Sequence, residues 1–107
     1  MTCFYVGGSQ RSGTTLLQTI LCQDSSTNPL IHEAKYFRHL LAAYRFGKRA
    51  FKGETCDYFR DQEDYRAFNA RLLSEALTKF SQMFPDARHL VLREPHLTMF
   101  FPELHEL

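Results

Sequence analysis

The chain has 107 residues, 44% hydrophobic and 23% charged, which is the size and mixture of one small folded domain rather than a disordered or fibrous segment. Thirteen Lys and Arg nearly cancel twelve Asp and Glu, leaving a formal charge of +1, so there is no global attraction to nucleic acid or to an anionic membrane. Cys3, Cys22 and Cys56 are an odd number, widely spaced, with no C-x-x-C pair; a disulfide framework and a zinc site are both unsupported, and a cytoplasmic, reducing setting is expected. No stretch approaches a membrane span, and Met1 is followed too soon by a strand-like run for a signal peptide to fit.

Cys3-Phe4-Tyr5-Val6 is a continuous β-prone run ended by Gly7-Gly8, which predicts a short strand buried on both faces at the centre of a parallel sheet. From Thr14 the period changes. Leu16, Leu17, Ile20 and Leu21 place one apolar helical face against that sheet. The polar cluster Asp24 to Pro29 ends this helix, and Phe37, Leu40, Leu41 and Tyr44 predict a second one that stops near Gly47. Residues 47–60 read as irregular, with Lys48, Arg49 and Lys52 as a solvated basic knot rather than a phosphate contact.

Asp61 with Asp64 resembles a capping pair at the head of a long helix whose apolar stripe is Tyr65, Phe68, Leu72, Ala76 and Phe80, closed by Phe84-Pro85. That stripe is read as core packing. His89 to Leu92 is a second strand, and Pro102 opens a further helix. The order strand, helices, strand predicts an α/β fold with parallel strands and right-handed crossovers. Residues 1–107 are read as a single domain, and the lack of any stop signal at Leu107 predicts a truncated one, with uncovered apolar faces favouring self-association.

Gly8-Ser9-Gln10-Arg11-Ser12-Gly13-Thr14-Thr15 has the G-x-x-x-x-G spacing of a P-loop, but Thr-Thr follows where a triphosphatase carries Lys-Ser or Lys-Thr. Glycines let successive backbone N–H groups converge on an anion, and the helix that starts there adds its positive end. A P-loop kinase or other ATP-binding protein is the alternative; the missing lysine and the absence of an apolar strand ending in Asp to hold Mg²⁺ speak against it. The dinucleotide fingerprint is absent too, because Gly7, Gly8 and Gly13 do not have its spacing. No metal site is expected, since the five histidines form no close pair, His32 and His39 standing seven residues apart.

Phe4 to Leu17, F-Y-V-G-G-S-Q-R-S-G-T-T-L-L, resembles the 5′-phosphosulfate-binding loop of sulfotransferases, in the R-S-G-T-T form similar to that of tyrosylprotein and bacterial members. The resemblance implies a P-loop-like parallel sheet flanked by helices and 3′-phosphoadenosine 5′-phosphosulfate (PAPS) as co-substrate. It also implies in-line transfer of the sulfuryl group to an acceptor hydroxyl or amine. Gly8, Ser9, Gln10, Arg11, Ser12, Gly13, Thr14 and Thr15 would then bind the 5′-phosphosulfate, and Arg11 would stabilise the leaving phosphate.

Family members of the tyrosylprotein type carry a catalytic glutamate shortly after this helix, which the resemblance assigns to Glu33 as general base; a charge at the head of the following helix is the competing role, and His32 is the substitute base. Leu92-Arg93-Glu94-Pro95 resembles the family's second motif, more often written with Lys first, and makes Arg93 a second cation near the phosphosulfate. An alternative alignment, with Arg93 on the later strand that binds the 3′-phosphate, would put the family's partner serine at Phe101 and is rejected. The 3′-phosphate residues are therefore expected beyond Leu107. A non-catalytic anion-binding form of the same fold is the third reading.

Overall fold

The computed structural model describes residues 2–8 and 14–107, the side chains of Thr14 and Thr15 excepted. In chain order these form β1 (Thr2–Val6), α1 (Thr14–Leu21), α2 (Lys35–Arg49), a 3-10 turn (Thr55–Asp57), α3 (Gln62–Ser81), β2 (His89–Arg93), a 3-10 helix (Pro95–Phe100) and α4 (Phe101–Glu106). The two strands pair in parallel, from Thr2 opposite His89 to Val6 opposite Arg93. Parallel strands require long crossovers, and the helices between β1 and β2 supply one, giving an α/β fold with a parallel sheet flanked by helices.

β2 rather than β1 is the buried strand. Leu90, Val91 and Leu92 are all but inaccessible, whereas Phe4 of β1 is 42% exposed and only Val6 is buried, which corrects the expectation of a first strand covered on both faces. β2 owes its centrality to partners on both edges. On the edge away from β1, the carbonyl of Ser26 accepts from the N–H groups of Arg88 (2.6 Å) and His89 (3.0 Å), and Thr27 makes a parallel bridge to His89. The side chain of Asn28 then stands in for a strand: its Oδ1 accepts from the Val91 N–H at 2.6 Å and its Nδ2 donates to the Val91 carbonyl at 3.4 Å. At the far end the Ala34 N–H donates to the Arg93 carbonyl. An irregular segment, 26–34, thereby satisfies the backbone of a central strand.

The helices correct further expectations. In α1 the apolar residues Leu16, Leu17 and Ile20 are exposed, and among the described side chains of this helix the one fully buried is Gln18. α2 does not stop at Gly47 but runs through it to Arg49; a Cβ there would collide with the Tyr65 hydroxyl of α3, so this glycine serves close helix packing, not termination. Lys48 accordingly lies in the last turn of α2, paired with Glu106, and not in a solvated loop. Asp61 caps α3 as expected, its carboxylate accepting from the Asp64 N–H at 2.8 Å, but the buried face is Tyr65, Asn69 and Leu73, with Phe68 and Leu72 outside. The main core joins Phe37, Leu41, Leu73, Leu90, Leu92, Leu97 and Phe100, and a second cluster forms around the stacked rings of Tyr44 and Tyr65 with Phe51.

Candidate anion site at the strand ends

Both parallel strands end on the same side, where open α/β sheets bind ligands. At the end of β1, Gly7 passes so close to the 3-10 helix after β2 that a Cβ would lie 2.8 Å from the Thr98 backbone nitrogen. Gly8 follows with a φ of 145°, a conformation that side chains rarely adopt, and its N–H donates to the Pro95 carbonyl at 2.9 Å. The entry to the glycine loop is thus fastened to the Arg93-Glu94-Pro95 triplet. Ser9, Gln10, Arg11, Ser12 and Gly13 lie outside the described residues, and α1 resumes the chain at Thr14.

The triplet divides its work by strand alternation, which sends successive side chains to opposite faces. Glu94 is 1% exposed; its carboxylate accepts from the His96 N–H at 2.9 Å, capping the 3-10 helix, and pairs with Arg38 of α2 at 3.1 Å. Pro95 occupies the first turn of that helix, where a missing N–H costs nothing. Arg93 turns the other way. Its Nε donates to Gln18 Oε1 at 2.7 Å and its Nη1 to Glu33 Oε1 at 3.0 Å.

Arg93 and Glu33 are sixty residues apart in sequence, and the structure makes them a direct ion pair beside a cleft of about 250 Å³ lined by Gln18, Leu30, Ile31, His32 and Arg93. His32 is exposed in this cleft, and Lys35 faces the second carboxylate oxygen of Glu33 at 3.8 Å. Gln18 was not among the expected site residues. Its signal in the sequence is a single amide inside Leu16-Leu17-Gln18-Thr19-Ile20-Leu21. A larger hollow of about 440 Å³ lies on the flank of α2 around Phe46, Arg49 and Phe100, and neither Glu33 nor Arg93 lines it. Among the described residues no group of three His, Cys, Asp or Glu gathers to hold a metal, and no helix is long and apolar enough to cross a membrane.

A parallel pair of strands flanked by helices, with the first helix following the glycines at the end of β1, defines the class: an α/β protein. Its family follows from comparison with known proteins, since the model of the sulfotransferase family matches residues 4–107, nearly the whole chain, and the protein belongs to that family. No curated protein and no solved structure matches it.

Proposed function

We propose that the protein transfers a sulfuryl group from PAPS to an acceptor hydroxyl or amine, with the glycine loop holding the 5′-phosphosulfate. The observation that carries the reading is the fastening of the loop's first glycines to the strand end that presents Arg93 against Glu33. In this reading the acceptor oxygen forms its bond to sulfur as the bond from sulfur to the 5′-phosphate oxygen breaks. The electron pair leaves on that bridging oxygen, where Arg11 and Arg93 neutralise it, and the acceptor proton passes to Glu33. A guanidinium suits the first task because it keeps its charge and offers several donors in a fixed plane. Sulfuryl transfer needs chiefly alignment and charge neutralisation, which a P-loop-like cradle and two arginines supply.

Calorimetric titration with 3′-phosphoadenosine 5′-phosphate, adenosine 5′-phosphosulfate and ATP with Mg²⁺ tests the reading. The adenosine phosphosulfate and the bisphosphate should bind in preference to ATP, and Arg11→Ala should remove that binding. Glu33→Gln should leave nucleotide affinity within about threefold while lowering turnover by a factor of about 10² or more, the usual contribution of a general base. Preference for ATP with Mg²⁺ would overturn the donor assignment, and undiminished turnover in Glu33→Gln would remove Glu33 from its role.

A further inference from the structure

We infer that Gln18 is the positioning residue of the donor site: a buried amide in α1 that fixes the Arg93 guanidinium relative to that helix and to the segment bearing Glu33. The inference rests on the donor reading given above.

Its starting point is an inversion. In an amphipathic helix the amide belongs outside and the leucines inside, yet Leu16 is 65% exposed, Ile20 54% and Gln18 not at all. Burying an amide costs free energy unless its hydrogen bonds are replaced, and a leucine in its place would carry no such cost. Gln18 meets that demand at both ends. Its Nε2 donates to the Ile31 carbonyl at 3.2 Å, and its Oε1 accepts from Arg93 Nε at 2.7 Å. One side chain therefore ties three separate pieces: α1, one turn beyond its first residue; the extended segment two residues before Glu33; and the end of β2.

The consequence for Arg93 is specific. An arginine held only through a terminal nitrogen can still swing about its long stem, whereas one held at Nε has the plane of its guanidinium set as well. Glu33 takes Nη1, and among the described residues nothing takes Nη2. Gln18 thus keeps Arg93 in place even when an anionic ligand displaces Glu33, so the carboxylate can be released without losing the cation. Such orientation is what a preorganised charge contributes to binding and transfer.

The test uses Gln18→Met, which keeps length and volume but removes both hydrogen bonds, alone and combined with Arg93→Ala. Titration with adenosine 5′-phosphosulfate should show about a tenfold loss for Gln18→Met, equivalent to 1.4 kcal/mol, and no further loss when it is added to Arg93→Ala. A side chain that merely fills space would instead add its effect to that of Arg93→Ala. Independently of any ligand, the Arg93 Nε–H, followed by ¹⁵N NMR, should exchange slowly in the wild type and faster in Gln18→Met. Wild-type affinity in Gln18→Met, additive losses, or rapid Nε–H exchange in the wild type would each overturn the proposal. A slowly exchanging Nε–H in a wild-type chain that binds none of the nucleotides would instead defeat the donor reading, and the role of Gln18 in it, while leaving the clamp itself standing.

Discussion

Two clusters of ionic side chains, one at the end of β2 and one along the seam between α2 and α4, are built from the same residue types and differ in what they leave unspent. In the seam, Arg45 grips Glu103 with two nitrogens at 2.7 and 3.0 Å, donates to the Met99 carbonyl, and lies 4.1 Å over the ring of Phe100. Glu106 accepts from Lys48 at 2.6 Å and from the Tyr44 hydroxyl at 2.7 Å. Burial, and then the bond to Glu106, pushes that hydroxyl well above the usual phenol range. Here both acids are consumed by neighbours from another helix, as in a cluster that fastens elements together. At the end of β2, by contrast, Arg93 is anchored through Nε and Nη1, and among the described residues its remaining donors have no partner beside an open cleft. A charge cluster that spends its donors reads as glue; one that is oriented yet unsaturated reads as a site.

The sharpest way to break this contrast is to remove the cleft's own glue. Segment 26–34, which carries Glu33 at its end, is fixed to the middle of β2 by the Asn28 side chain, and Val91 is wholly inaccessible. Asn28→Ala leaves a buried N–H and a buried carbonyl without partners, at an expected cost of about 3 kcal/mol in stability. Because the wall of the cleft loosens with it, the Arg93–Glu33 pair should loosen too. Denaturant unfolding, with nucleotide titration at low temperature, measures both. A loss below about 1 kcal/mol would mean that water replaces the amide at this edge.

The order of elements was legible because periodicity and glycine placement report it directly: strand to Val6, helix from Thr14, strand at His89. What periodicity cannot report is which face of a helix the rest of the chain covers. Leu16, Leu17 and Ile20 share a face by spacing alone, and the structure turns Gln18 inward instead. In α3 the same ambiguity shifted the buried stripe from Phe68 and Leu72 to Asn69 and Leu73, with Asn69 satisfied by donating to the Tyr65 carbonyl at 2.9 Å. Gly47 carries two physical meanings, helix stop and close approach, and only the position of Tyr65 decides between them. Glu33 and Arg93 were each named by resemblance. Their pairing depends on the parallel register of two strands and on the path of segment 26–34, and no local signal encodes it.

The seam supplies the two smaller tests. Arg45→Ala removes a bidentate, largely buried pair and a cation over a ring, and should cost about 2 kcal/mol without altering nucleotide affinity. A loss of nucleotide binding in this variant would mean that the seam and the cleft are not separable. The acid dependence of stability then refines the picture. The hydrogen bond from Arg45 holds the Glu103 carboxyl below its ordinary value of 4.5, and those from Lys48 and Tyr44 do the same for Glu106. For groups depressed on folding, the stability they contribute is present above that ordinary value and is lost as pH falls through the folded-state values. Glu106 and Lys48 are 33% and 47% exposed, so solvent screening makes their share the lesser one. Between neutral pH and about pH 3 the wild type should therefore lose stability more steeply than Arg45→Ala, the two curves converging as Glu103 is protonated, by less than the loss the substitution causes at neutral pH. Parallel curves would show that Arg45 contributes through its contact with Phe100 and not through the charge of Glu103.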